Sequence, residues 1–277
     1  LRAYVGKVNM DRNSPDDYRE ETQDSAADTR AWIQETAGAF SQVKPILTPR
    51  FLPTCSDRLM ELLGQLQREF ALPVQSHLSE NQGEIAWVRE LCPQADFYGD
   101  GYQRFGLFGG DVPTIMAHCV YSGEEELLRM KERGVYIAHC PQSNTNIASG
   151  IAPVRRFLDM GIRVGLGSDV AGGHSASIFR TMAEAVQVSK LRWRLVDQTL
   201  RPLTAAEAFY LGTEGGGSFF GRSGSFQKGY AADILVLDES RMPYMEELTV
   251  AERLERYLYL CGEKDILHKF VGGRMLF

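Results

Sequence analysis

The sequence predicts an α/β protein of (β/α)8 type. The expected form is a TIM-like barrel, N-terminally incomplete in this chain, followed by part of a small β-sandwich appendage. Three observations carry that expectation. Six short apolar runs alternate with helical stretches, the order of parallel βα units. Four of the runs end in a residue able to bind a metal or move a proton: PVQSH at His77, TIMAH at His118, VYIAH at His139 and VGLGSD at Asp169. Parallel strands bring such ends to one rim, where α/β enzymes keep their chemistry. The third observation is a change of character near residue 215, where Gly- and Ser-rich sequence leads into a separate strand.

Each element has its own signal. Residues 1–10 (LRAYVGKVNM) read as a strand, and 25–40 as a helix with Ala26, Ile33, Ala37 and Phe40 at helical spacing. VKPILT (43–48) is the next strand. Ser56 caps the helix SDRLMELLGQLQREF, which carries leucine and methionine on one face. A strand over 73–76 and a helix over 82–91 follow. The stretch 97–110, rich in Gly and aromatics, reads as loose. The pattern then repeats: strand 114–118, helix 123–133, strand 135–139, helix 152–160, strand 163–167 and a long helix over 177–192. Thr204, with Glu207 three residues on, has capping-box spacing at the head of a helix over 204–211.

A closed barrel of this type needs eight strands and about 250 residues. Six strands are found over 1–215, so two are expected to precede residue 1; the chain opens Leu-Arg-Ala-Tyr, without Met. Residues 1–215 are therefore read as strands 3 to 8 of the barrel, and 216–277 as the appendage with one helix. In the appendage, ADILVLD is a strand, 249–260 a helix, and KFVGGRMLF a hairpin around Gly272-Gly273. The glycines 215–217 lack a GxxxxGK[ST] context and read as turn and linker.

The bulk numbers exclude several classes. A net charge of −6 argues against a general nucleic-acid binder. No apolar run approaches the roughly 20 residues that cross a bilayer. Five cysteines without CxxC spacing argue against a disulfide framework or zinc ribbon and point to a reducing cytoplasm.

The strand ends carry the chemistry. In QSHLSE, His77 can ligate a divalent metal and Glu80 can handle the proton of an activated water. A core histidine hydrogen-bonded at the top of a strand is the alternative. Asp169 can ligate a metal or accept from an attacking water; a helix N-cap ahead of the loop VAGGHSAS is the lesser alternative. The Gly165-Leu166-Gly167 before it lacks the third glycine of a dinucleotide fingerprint, and NAD is rejected. His118 and His139 each precede a cysteine. Strand alternation turns Cys119 and Cys140 away from the rim as packing residues, the alternative being a mixed His/Cys zinc site. His174 is a further rim candidate, and His268 reads as surface. Arg50-Phe51 offers a bidentate fork beside a flat apolar face, which suits a planar heterocycle bearing a carbonyl; a surface Arg beside a core Phe is the plainer account.

Taken together, VGKVNMD, KPILTPRF, QSHLSEN, MAHCVY, AHCPQSN and GLGSDVAGG resemble the guanine deaminases of the amidohydrolase superfamily. The resemblance continues to KGYAADILVLD and FVGGR at the C-terminal end. Less selective relatives carry a Pro-His-Ala type of segment where this chain has Thr48-Pro49-Arg50-Phe51, so Arg50 and Phe51 point to guanine.

The resemblance implies a zinc-dependent conversion of guanine to xanthine and ammonia by a small-molecule enzyme, a cytoplasmic homodimer. It implies that His77 and Asp169 ligate zinc, and that Glu80 shuttles protons. His118 would stabilise the hydroxide and the tetrahedral intermediate, Arg50 would grip the purine carbonyl side, and Phe51 would lie against the ring. Catalytic roles thus fall to Glu80, His118 and Asp169, and these three line the substrate with Arg50, Phe51 and His77. His139 matches a motif position without an assigned role. The family's other two zinc ligands form a His-x-His pair on the first barrel strand, which is expected upstream of Leu1. This piece alone is accordingly expected to bind zinc poorly and to be inactive. Two rivals stay open: an aminohydrolase of a triazine, pyrimidine or other purine, and a non-catalytic homologue.

Overall fold

Parallel strand pairing organises the first part of the chain. The computed structural model describes residues 2–243 and 247–277; Leu1 and residues 244–246, within the expected first strand and the expected appendage, lie outside that description. The chain divides into two compact units, Leu1–Ile137 with Met160–Ile162, and Ala138–Asp159 with Arg163–Phe277.

In the first unit the opening strand is two short pieces, β1 (Ala3–Val5) and β2 (Val8–Asn9). The break falls at Gly6, where a Cβ would lie 2.0 Å from Thr48 Oγ1. The second strand is likewise split into β3 (Val43–Pro45) and β4 (Thr48–Pro49). β1 pairs parallel with β3 and β2 with β4. Leu47 then bridges in parallel to Val74, the first residue of β5 (Val74–Leu78), which pairs parallel with β6 (Thr114–His118). The helices between these strands close the core. α1 (Thr22–Ala39) buries Ser25, Ala26, Thr29, Ile33 and Thr36. Ala37 and Phe40, expected on that face, are exposed. The polar members of the face are there to meet Asn9, whose side-chain amide donates to Ser25 Oγ at 2.9 Å and Thr29 Oγ1 at 2.7 Å. α2 (Asp57–Phe70) begins as expected, with Ser56 accepting from the Leu59 N–H, and packs Leu59, Met60 and Leu63 inward.

α3 (Gln82–Leu91) is capped by Asn81. The loose stretch expected at 97–110 instead contains a helical turn, α4 (Tyr98–Gln103). Its glycines disguise it, because Gly lowers intrinsic helix propensity. Packing overrides that: a Cβ at Gly99 would meet Phe108 at 2.5 Å, and one at Gly101 would meet Leu52 at 2.5 Å. α5 (Glu124–Arg133) completes the unit, and the boundary between units falls within β7 (Tyr136–His139).

The second unit continues with α6 (Pro141–Asn146), unforeseen in the sequence, then α7 (Val154–Asp159) and β8 (Val164–Leu166). The Gly167 N–H donates to the His139 carbonyl at 2.9 Å, so the ends of β7 and β8 lie side by side. After α8 (Ile178–Leu195), α9 (Ala205–Tyr210) opens with the reciprocal Thr204–Glu207 capping box expected from the spacing. Glycines 215–217 are a correction. They lie in helical turns that continue past α9 to Phe220, not in a linker. Close approach to β8 is the reason: a Cβ at Gly215 would lie 2.6 Å from the Val164 carbonyl oxygen.

The tail forms an antiparallel sheet in which β10 (Ile266–Val271) pairs with both β9 (Ile234–Leu237) and β11 (Arg274–Met275). The hairpin turns at Gly272 and Gly273, both with positive φ. α10 (Val250–Leu260) presents Tyr257, which clusters with Met242, Cys261, Phe179 of α8 and Leu237 of β9. All five cysteines are buried. Among the described residues, no helix is long and apolar enough to cross a membrane.

Candidate active site

The site residues of the first unit gather around the end of β5. That strand buries Val74, Ser76 and Leu78 and turns the intervening His77 the other way, half-buried. His77 Nδ1 lies 2.7 Å from the Arg50 carbonyl oxygen. A carbonyl only accepts, so Nδ1 carries the ring proton and the lone pair sits on Nε2. The His77 ring stacks on His118 with centroids 5.1 Å apart and planes 24° apart.

Beyond β5 the chain turns sharply at Ser79, whose φ is +47°. Two contacts hold this left-handed residue. Its hydroxyl donates to the buried Glu126 Oε2 at 2.8 Å, and its carbonyl accepts from the Tyr121 N–H at 2.9 Å. The other Glu126 oxygen accepts from the Gly99 N–H at 2.8 Å, and burial raises the Glu126 carboxyl. The turn delivers Glu80, whose Oε1 comes within 3.6 Å of His118 Nδ1. His118 itself ends β6 with φ +73° and is 1% exposed.

Arg50 and Phe51 complete this group. The Arg50 N–H donates to the Asn9 carbonyl at 3.2 Å while its own carbonyl receives His77, so the residue is held at both ends. Its guanidinium sits 4.9 Å from the centre of the Phe51 ring. Phe51 in turn meets His77 and Trp87 edge-on, each at 6.3 Å between centroids. Of the two plain alternatives here, Arg50 is exposed, as a surface arginine is, but it does not stand apart from its neighbour. His77 is indeed hydrogen-bonded at the top of a strand, and is half-buried rather than part of the core.

In the second unit, His139 ends β7 and is 1% exposed. Asp169 follows β8 with φ +45°, its carbonyl accepting from the Gly173 N–H at 2.7 Å. It does not cap the next helix, because α8 takes Ser177 as its N-cap. A Cβ at Gly172 would meet Ser143 Oγ at 2.6 Å and Asp169 Oδ2 at 2.9 Å, so this loop closes tightly over the carboxylate. His174 is exposed, His268 lies half-buried in β10, and Cys119 and Cys140 are buried.

Sequence reasoning missed four residues of this neighbourhood: Ser76, Glu84, Trp87 and Tyr102. Ser76 alone left a signal, a hydroxyl at a buried position of an apolar strand. Glu84 is buried on α3, and burial lifts its carboxyl to about 7, with the charge of Glu80 adding to the rise. Its folded value lies above the unfolded 4.5, so the folded state holds the extra proton across that interval. Stability is therefore fully present below about pH 4.5 and is lost as pH rises through 7. Chelator-treated Glu84→Gln protein is expected to be more stable than its parent by about 3 kcal/mol at pH 8, and to show little difference at pH 4.5. Denaturant unfolding at both pH values checks this; parallel stability profiles would refute it.

Among the described residues, no group of three or more His, Cys, Asp and Glu side chains is arranged to hold a metal ion. His77 nevertheless has the orientation of a ligating histidine, with its far nitrogen anchored to a carbonyl.

The sequence profile of the amidohydrolase family matches residues 1–276. The chain is similar to the guanine deaminase of Dictyostelium discoideum, 36% identical over 283 residues, which cover 99% of this chain and 62% of that protein. It is similar to the guanine deaminase of Escherichia coli (strain K12), 34% identical over 286 residues, covering 100% of this chain and 63% of that protein. A solved guanine deaminase from C. acetobutylicum, with guanine bound in its active site, superposes with a TM-score of 0.96 at 48% identity; the match covers 100% of this chain and 66% of that one. The chain thus spans less than two thirds of the length of these relatives.

Proposed function

The chain belongs to the amidohydrolase family, and from that premise we propose that it is the greater part of a hydrolase converting guanine and water to xanthine and ammonia. One observation carries the reading: a single backbone carbonyl, that of Arg50, ties the imidazole of His77 to the Arg50–Phe51 pair. On this reading the group that would hold the metal and the groups that would hold the ring share one anchor, and the His118 ring stacked on His77 has the Glu80 carboxylate 3.6 Å from its Nδ1. The similarity to a structure holding guanine supports the same substrate.

We read zinc as the metal, with His77 and Asp169 as ligands from this chain, since imidazole nitrogen and carboxylate oxygen suit it. When bound, zinc would supply a nucleophilic hydroxide at neutral pH by lowering the pKa of its water far enough for it to ionise there. The remaining work falls to the side chains. Glu80 would take one proton of the attacking water and pass it to a purine ring nitrogen, then take the second from the hydroxyl of the tetrahedral adduct and give it to the departing amine as the C–N bond breaks. His118, buried beside Glu80, donates to the oxygen on which negative charge develops. Arg50 forks onto the purine carbonyl while Phe51 lies along the ring. We also read 1–215 as strands 3 to 8 of the barrel, 216–277 as part of the appendage, and the protein as a cytoplasmic homodimer. Five cysteines without CxxC spacing support the reducing compartment.

The test is ultraviolet detection of guanine conversion by the zinc-loaded, full-length protein. Xanthine and ammonia are expected in equal amounts, with loss of turnover on chelation. Turnover of a triazine, pyrimidine or other purine in place of guanine would overturn the substrate.

A further inference from the structure

Beneath the site, two buried hydroxyls join three stretches of chain. Tyr102 of α4 is fully buried, its ring stacked on Tyr98 with centroids 5.9 Å apart. Its Oη donates to the His77 carbonyl at 2.9 Å, accepts from the Leu52 N–H at 3.2 Å and lies 2.8 Å from Ser76 Oγ. Ser76 Oγ donates to the Pro49 carbonyl at 2.7 Å and reaches the Arg50 carbonyl at 3.1 Å. The Arg50 carbonyl is also the acceptor for His77 Nδ1. Each hydroxyl has one proton and two lone pairs, so the pair together serves both strand ends. Burial raises the Tyr102 phenol well above its ordinary value and keeps it a donor.

We propose that Tyr102 and Ser76 are positioning residues that couple the His77 imidazole to the Arg50–Phe51 pair, so that metal retention and purine binding share one support. The inference rests on reading His77 as a metal ligand and Arg50 as a purine contact. Its physical basis is the shared acceptor. If the β4–Phe51 segment shifts away from β5, the Arg50 carbonyl leaves His77 Nδ1, the preferred tautomer is lost, and the guanidinium moves as well. Outer partners that orient ligating histidines affect metal affinity by 10–100-fold.

Tyr102→Phe in the full-length protein keeps the ring and its stack and removes only the hydroxyl. Expected are a zinc affinity about 10–100-fold weaker in chelator competition, a higher KM for guanine, and a mixed His77 tautomer by 15N NMR of chelated protein. Ser76→Ala, which leaves the aromatic stack untouched, is expected to move the same three readouts and carries the test if Tyr102→Phe does not fold. A variant with parental zinc affinity, KM and tautomer but a lower melting temperature would reduce the pair to a structural role and overturn the coupling. Parent protein that takes up no zinc would remove the premise and the proposal with it. Parent protein that holds zinc but ignores guanine would sink the substrate reading alone, the zinc and tautomer readouts then deciding the coupling.

Discussion

Glu80→Gln is expected to keep zinc at the parental stoichiometry and lose about 10²- to 10⁴-fold in kcat, the range that general acid–base groups supply. The substitution keeps the shape of the side chain and one carbonyl oxygen within reach of His118 Nδ1, now 3.6 Å from the carboxylate. It removes the ability to take up a proton. The Ser79 turn is pinned from outside, by Glu126 and the Tyr121 N–H, so the loop has no reason to move. Metal analysis and steady-state kinetics on the same preparation separate the two effects. A near-parental rate would remove Glu80 from the mechanism, and lost zinc would make it a ligand instead.

Arg50→Ala is expected to raise KM for guanine by roughly 10- to 100-fold, the worth of a hydrogen bond to a charged group at about 1.5–3 kcal/mol. The backbone of residue 50 is held by Asn9 and His77 through main-chain atoms that alanine retains, so zinc binding should be unchanged. Arg50→Lys is expected to recover only part of the loss, because an ammonium lacks the planar fork and stacks poorly on Phe51. An unchanged KM in Arg50→Ala would take the residue out of the binding site.

The strand ends were legible because their signals are local. β6 spans the predicted 114–118 and α3 the predicted 82–91, since a short apolar run and the helical stretch that follows the preceding strand are set by neighbouring residues. The Thr204–Glu207 box was readable for the same reason. α4 was not, because its two glycines argue against a helix until Phe108 and Leu52 are seen against them. Gly215–Gly217 misled in the same way.

The candidate site divides along that line. Residue types at the ends of periodic runs name His77, His118, His139 and Asp169, and the segment PRF names Arg50 and Phe51. The sequence alone determined which groups are offered to the chemistry. Tertiary structure alone decided which of them are held, and by what. The Arg50 carbonyl meets His77 across 27 residues, and the Tyr102 hydroxyl meets the His77 carbonyl across 25. Such contacts leave no periodic trace, since they depend on two parallel strands and a glycine-rich turn closing on one buried point.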